Sequence, residues 1–186
     1  MPLHIIVPKT EKELYSESKN EFIQLKLLND VELVLEHSLV SISKWESKWH
    51  KPFLSKAPKT TDETLDYIKC MTITQNVNPD VYLCLTDKNV KDIKEYIDDP
   101  ITATTIKNRP NGPHSREQVT SELIYYWMIA LQIPFECQKW HLNRLLMLIE
   151  VCNVKNAPQK KMSKADILRQ NHAINSARRA KYHTRG

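Results

Sequence analysis

Cys137 and His141 stand four residues apart in the run Ile-Pro-Phe-Glu-Cys-Gln-Lys-Trp-His. On a helix that spacing sets a thiol and an imidazole on one face, where the pair could ligate a metal. The surrounding residues are apolar, and free cysteine is among the most buried residue types, so two core side chains are the favoured reading. Asp62-Glu63 and Asp98-Asp99 are the candidates for a carboxylate dyad. The first pair opens a predicted helix, where acids meet the positive end of the dipole, and the second closes one beside Pro100, so capping and solvation account for both. The seven histidines, from His4 to His183, form no His-Xaa-His or His-Xaa-Xaa-Xaa-His spacing, and no local nucleophile signature is present. With glycine only at Gly112 and Gly186 no Gly-rich phosphate cradle can be built. Catalytic residues, cofactor and metal are therefore not expected, and the chain reads as a non-enzyme.

Aromatic and basic residues leave a second kind of chemistry, the binding of nucleic acid. Tyr126 and Trp127 could stack on bases, but they sit in an apolar helical stripe, which favours a core role. The tail is less easily set aside. From Lys155 onward nine Lys or Arg face one acid, Asp166, whereas the chain before it holds 18 basic and 21 acidic residues. Lys160, Lys161, Lys164, Arg169, Arg178, Arg179, Lys181 and Arg185 could neutralise phosphates, dock on an acidic protein, or simply form a solvated helix.

Positioning these residues falls to a mostly α-helical α+β fold: an N-terminal antiparallel β-hairpin followed by a bundle of about five helices. Residues 4–7 and 22–28 have the content of strands, and after the turn-forming Asn29-Asp30 the alternation of Val31, Leu33, Leu35 and Leu39 predicts a half-buried strand. Trp45 and Trp49, four apart, lie on one side of a helix that ends before Pro52, and they are expected to join the sheet to the helices. Thr60 with Glu63 reads as a capping box for a helix with Leu65, Ile68, Met71 and Thr72 on one face. A short piece follows Asn78-Pro79-Asp80, and a helix from Asp87 carries Val90, Ile93, Tyr96 and Ile97 up to Asp99-Pro100.

Residues 101–115, rich in Pro and Asn, read as a surface loop. Ser115 with Gln118 caps a predicted helix whose main stripe is Val119, Leu123, Tyr126, Trp127 and Ala130, widened by Ile124, Met128 and Leu131. Pro134 is expected at the first turn of the next helix, making a tight helical hairpin in which Phe135, Leu142, Leu145, Leu146 and Ile149 share a face. Both helices are apolar on nearly every side, so some of that surface must be covered by another chain or by the rest of the fold. Ser163 with Asp166 caps a last helix, from Lys164 to about Lys181, with a thin stripe of Ile167, Leu168 and Ile174. The domain reading is 1–42 for the hairpin region, 43–154 for the helical core and 155–186 for the basic helix and tail.

At 186 residues and 41% hydrophobic content the chain has the composition of one globular domain with an appendage. No apolar run reaches the roughly 18 residues that span a bilayer, and the N-terminus lacks a signal-peptide pattern. The four widely spaced cysteines read as reduced thiols, so a cytosolic protein with no membrane partner is expected.

The order of segments resembles a known family. The run Ser-Leu-Val-Ser-Ile-Ser-Lys-Trp-Glu-Ser-Lys-Trp-His-Lys-Pro-Phe-Leu ending at Leu54, then Thr-Asp-Glu-Thr-Leu-Asp-Tyr-Ile-Lys-Cys-Met, then Ile-Pro-Phe-Glu-Cys-Gln-Lys-Trp-His-Leu-Asn-Arg-Leu-Leu, and the ending Asn-His-Ala-Ile-Asn-Ser-Ala-Arg-Arg-Ala, resemble the tail assembly chaperones of long-tailed bacteriophages. The likeness covers about Glu36 to Gly186. It implies a non-enzymatic, siphovirus-like tail-assembly factor that coats the tape measure protein, a very long helical and apolar chain, and keeps it soluble in the host cytoplasm until the tail tube assembles. It implies other tail proteins and further copies of the chain as partners, and a frameshifted longer form. The alternatives are a structural head–tail or tail subunit of the virion and a nucleic-acid-binding accessory protein acting through the basic tail. Aromatic and Met side chains suit an adaptable apolar surface, which makes Tyr125, Trp127, Met128, Trp140 and Met147 its candidates, with a core role the competing assignment.

Overall fold

Alternation builds the N-terminal part. Ile5 and Val7 in β1 (Leu3–Val7), Leu25 and Leu27 in β3 (Glu21–Leu27), and Leu33 and Leu35 in β4 (Val31–Leu35) are buried, with exposed or half-buried residues between them. The structure, a computed structural model, describes residues 2–16, 21–106, 118–157 and 164–182. β1 pairs antiparallel with β4, from Leu3 opposite Leu35 to Val7 opposite Val31. β2 (Thr10–Ser16) pairs with β3, from Thr10 opposite Leu27 to Ser16 opposite Glu21. The two ladders lie end to end along one ribbon. Between them Pro8 and Lys9 face Leu28, Asn29 and Asp30, an unequal count that breaks the pairing where Pro8 has no N–H to offer. The Lys9 N–H donates to the Asp30 carboxylate at 2.7 Å and closes the gap.

Asn29-Asp30 therefore sits at this break and joins β3 to β4. The alternation through Leu39 also ends early: β4 stops at Leu35, and Leu39 opens α1 (Leu39–Trp49). Ser38 caps that helix by accepting from Ser41 N–H while Ser41 Oγ accepts from Ser38 N–H, a reciprocal box with serine at both ends. The free side of β4 is covered by residues 71–74, through Glu36 N–H to Met71 O, Ile73 N–H to Val34 O and Val34 N–H to Thr74 Oγ1. On β1, Asn89 Nδ2 donates to Ile6 O at 3.1 Å. Both outer edges of this inner ladder thus find partners.

The helices that follow are α2 (Thr61–Met71), α3 (Asp80–Leu83), α4 (Asp87–Asp98), α5 (Ser121–Ala130), α6 (Leu142–Asn156) and α7 (Lys164–Tyr182), giving the mostly helical α+β architecture. The capping box of Thr60 and Glu63 is present, and Thr86 with Asn89 forms another at α4. Trp45 and Trp49 bond to α2. Trp45 Nε1 donates to Glu63 O at 2.8 Å and Trp49 Nε1 to the Asp66 carboxylate at 2.9 Å, so both tie α1 to α2. Lys48 adds an ion pair to Asp66, and Lys51 one to Glu63 at 2.5 Å. Leu33, Leu39, Ile42, Met71, Ile124 and Leu145, all essentially solvent-free, bring ribbon, α1, α2, α5 and α6 into one core. Each such side chain contributes about 1.5–3 kcal/mol through burial.

The chain divides into two units, residues 1–155 and 156–186. The second contains α7, of which no residue is buried. The caps predicted from Ser115 and Ser163 lie outside the described residues, as do Lys160, Lys161 and Arg185 and most of the predicted 101–115 loop. Among the described residues no helix is long and apolar enough to cross a membrane.

Candidate protein-binding surface

A buried acid sets the position of α5. Glu46, on α1 and nearly solvent-free, accepts from Phe53 N–H through one carboxylate oxygen and from Ser121 N–H through the other, each at 2.7 Å. A carboxylate at the first N–H of a helix satisfies an orphan donor and meets the positive end of the dipole. Thr120 caps the same turn by accepting from Leu123 N–H at 3.4 Å. The helix therefore begins at Ser121, later than a cap at Ser115 predicts, and residues 118–120 are not helical. With Ser121 drawn inward, Ile124 and Met128 follow it into the core at the three-and-four spacing of one helix face. Tyr126 and Ala130, predicted on the inner stripe, are exposed instead.

The far end of α5 is a left-handed cap. Gln132 has φ 56°, its N–H bonds Ile129 O at 3.1 Å, and Ile133 N–H reaches back to Met128 O at 2.8 Å. This is the double closure that a Schellman motif makes, here with glutamine where glycine is usual. Ile133 is buried, and Pro134 follows in an extended conformation, φ −57° and ψ 140°. Pro134 does not open a long helix: residues 135–139 form a single 3₁₀ turn, Trp140 is extended, and α6 starts at Leu142. The cause is tertiary. Leu142 N–H donates to His37 O at 2.8 Å and His141 bridges to Ser38, so the chain is held extended where it meets the end of β4.

Together these two caps leave an apolar face outward. Tyr126 is 63% exposed, Ile129 61% and Phe135 53%. Tyr126 and Ile129 are neighbours three apart on the helix. Half-buried Tyr125 lies between Ile129 and the turn, its ring 6.5 Å from that of Phe135 and its hydroxyl donating to Gln138 Oε1 at 2.9 Å. Elsewhere Tyr15 and Phe22 form an exposed pair at 5.2 Å, but they are opposite residues of β2 and β3 and stabilise that ladder across the strands.

Of the five side chains predicted for a partner surface, Tyr125 alone belongs to this face. Met128 has no solvent exposure and is core. Trp127 is half-buried on the other flank of α5, where it lines a groove of about 430 Å3 with Leu54, Val119 and Leu146. Trp140 is half-buried under the Arg144 guanidinium, 4.3 Å from its ring centre, and Met147 is half-buried on α6. Sequence reasoning missed Tyr126, Ile129 and Phe135. A helix apolar on all sides carries no phase in its own pattern, and the phase here comes from the Glu46–Ser121 bond, made across 75 residues.

A further polar cluster is buried and lies between elements. His37 Nδ1 and the Tyr67 hydroxyl are 2.5 Å apart, and the rings of His37 and His141 are 4.9 Å apart. His141 Nε2 donates to Tyr96 O at 2.9 Å, leaving Nδ1 without a partner among the described residues. Burial, and secondarily His141, lower the His37 pKa to about 3. Burial raises Tyr67 far above the phenol range. Both groups are thereby held neutral, as links between β4, α2 and the start of α6. Cys137 and His141 are both buried, but the helix that would have set them four apart on one face is not formed. Burial raises the Cys137 thiol as well. Among the described residues no group of three or more His, Cys, Asp or Glu could hold a metal ion.

Comparison with protein-family models, with curated proteins and with solved structures finds no match for this chain.

Proposed function

We propose that the protein is a non-enzymatic bacteriophage tail-assembly factor, a tail assembly chaperone, that holds the tape measure protein in solution through the apolar face of α5 and the turn after it. The observation that carries the reading is the grouping of Tyr126, Ile129 and Phe135, each more than half exposed, beside Tyr125. Contiguous aromatic and aliphatic surface of this kind, fixed by caps at both ends of its helix, is what an apolar helical partner docks on. Aromatic side chains supply large contact area at low entropic loss. The resemblance of segments between Glu36 and Gly186 to phage tail chaperones names the partner.

Co-expression tests it. With this chain present, the tape measure protein from the same phage genome is expected in the soluble fraction and to co-purify with it. A tape measure protein equally insoluble with and without the chain contradicts the proposal. Presence of the chain in finished virions would instead favour a structural tail subunit.

A further inference from the structure

Helix α7 holds five cations, Lys164, Arg169, Arg178, Arg179 and Lys181, against one acid, Asp166, and none of its residues is buried. We infer that α7 binds the phosphate backbone of duplex DNA by lying in the major groove. A helix drawing so little on packing needs a partner to hold it. Its apolar residues, Ile167, Leu168, Ile174 and Tyr182, make too thin a stripe for a helix-in-groove protein contact. Charge is what α7 offers.

Three of the five cations are arranged for a groove. At about 100° per residue, Ala173, Ser176, Ala177 and Ala180 share one side of the helix. Arg169, a turn after Asp166, stands at the N-terminal end of that side, Arg179 and Lys181, two apart, fall on its two flanks, and Lys164 and Arg178 lie on the opposite side. A major groove about 12 Å wide takes a helix about 10–12 Å across and has a phosphate strand along each wall. A small-residue side lets the backbone sink inward, while cations on both flanks meet both strands. An acidic protein surface would engage one flank only. Alanines read no base edges, so affinity is expected to be independent of sequence and sensitive to salt. The deep, narrow major groove of duplex RNA does not admit a helix.

The test is fluorescence anisotropy of the full chain with short labelled duplexes of DNA and of RNA. With three phosphates neutralised, affinity for DNA is expected to fall about fortyfold between about 50 and 200 mM salt. The variant Arg169→Ala/Arg179→Ala/Lys181→Ala, which keeps good helix formers throughout, is expected to bind more weakly and to lower the salt slope by about three. Ala177→Glu, with unchanged circular dichroism, is expected to lose binding by placing an acid in the middle of the inward side between Arg169 and Lys181, three turns past Asp166. No binding at about 50 mM salt, undiminished binding by the triple variant, or RNA bound as tightly as DNA overturns the inference. So does a triple variant that loses an acidic protein partner while DNA was never bound. None of these outcomes touches the α5 face, which carries no residue of this helix.

Discussion

Glu46 joins three segments with two oxygens, and its removal leaves Phe53 N–H and Ser121 N–H buried without acceptors. An unsatisfied buried donor costs about 1–3 kcal/mol, so Glu46→Ala is expected to lower unfolding free energy by about 3 kcal/mol or more in a urea titration. A loss within the range of ordinary surface changes would mean that these bonds do not set α5. The buried imidazole of His37 links stability to acidity. Its folded pKa, about 3, lies below the ordinary value of 6.5, so the unfolded chain binds the extra proton between them. The stability this group contributes is complete above about pH 6.5 and drains away as pH falls toward 3, by about 1 kcal/mol per pH unit. His141, lowered chiefly by burial, acts in the same direction. The melting temperature is expected to rise from pH 5 to pH 7, and His37→Asn to flatten that rise; an unchanged pH profile in the variant contradicts the assignment.

Elements whose signals are local could be read directly from the chain. Thr60 and Glu63 stand at capping-box spacing and form the box, and α4 runs from Asp87 to Asp98 as Ile93, Tyr96 and the Asp99-Pro100 stop imply. Elements defined by distant partners could not. β2, Thr-Glu-Lys-Glu-Leu-Tyr-Ser, has a charged strand's weak signal and exists through pairing with β3. The missing helix after Pro134 is replaced by extended chain because residues 141–142 meet 37–38. The exposed apolar face of α5 was illegible for a related reason: with no amphipathic periodicity in an all-apolar helix, the Glu46 bond decides which side turns out. The cap of α5 gives a direct check on its geometry. Gln132 occupies a left-handed conformation that costs a non-glycine residue about 1–2 kcal/mol, more than the about 0.5–1 kcal/mol of backbone entropy that glycine loses, so Gln132→Gly is expected to stabilise by up to about 1 kcal/mol, read as a raised thermal midpoint. A destabilised variant would contradict the cap.

On the scale of the whole chain, the folded core and the excess of positive charge belong to different parts. The core formed by ribbon, α1, α2, α5 and α6 lies within residues 1–155, while α7 buries none of its residues. A chain truncated after Lys155 is therefore expected to fold with nearly the parent melting temperature, and failure to fold would show that α7 contributes to the core. The net charge divides in the same place, with eight basic residues against one acid after Lys155, so long-range attraction of anions belongs to the tail. The most direct measurement of the central claim is the soluble yield of tape measure protein co-expressed with the parent chain and with Tyr126→Glu/Ile129→Lys. Both substitutions fall on exposed positions, where effects on stability stay within about 0.5 kcal/mol. The double variant is expected to keep its fold and lose most of the soluble partner; a yield equal to the parent's would contradict the account.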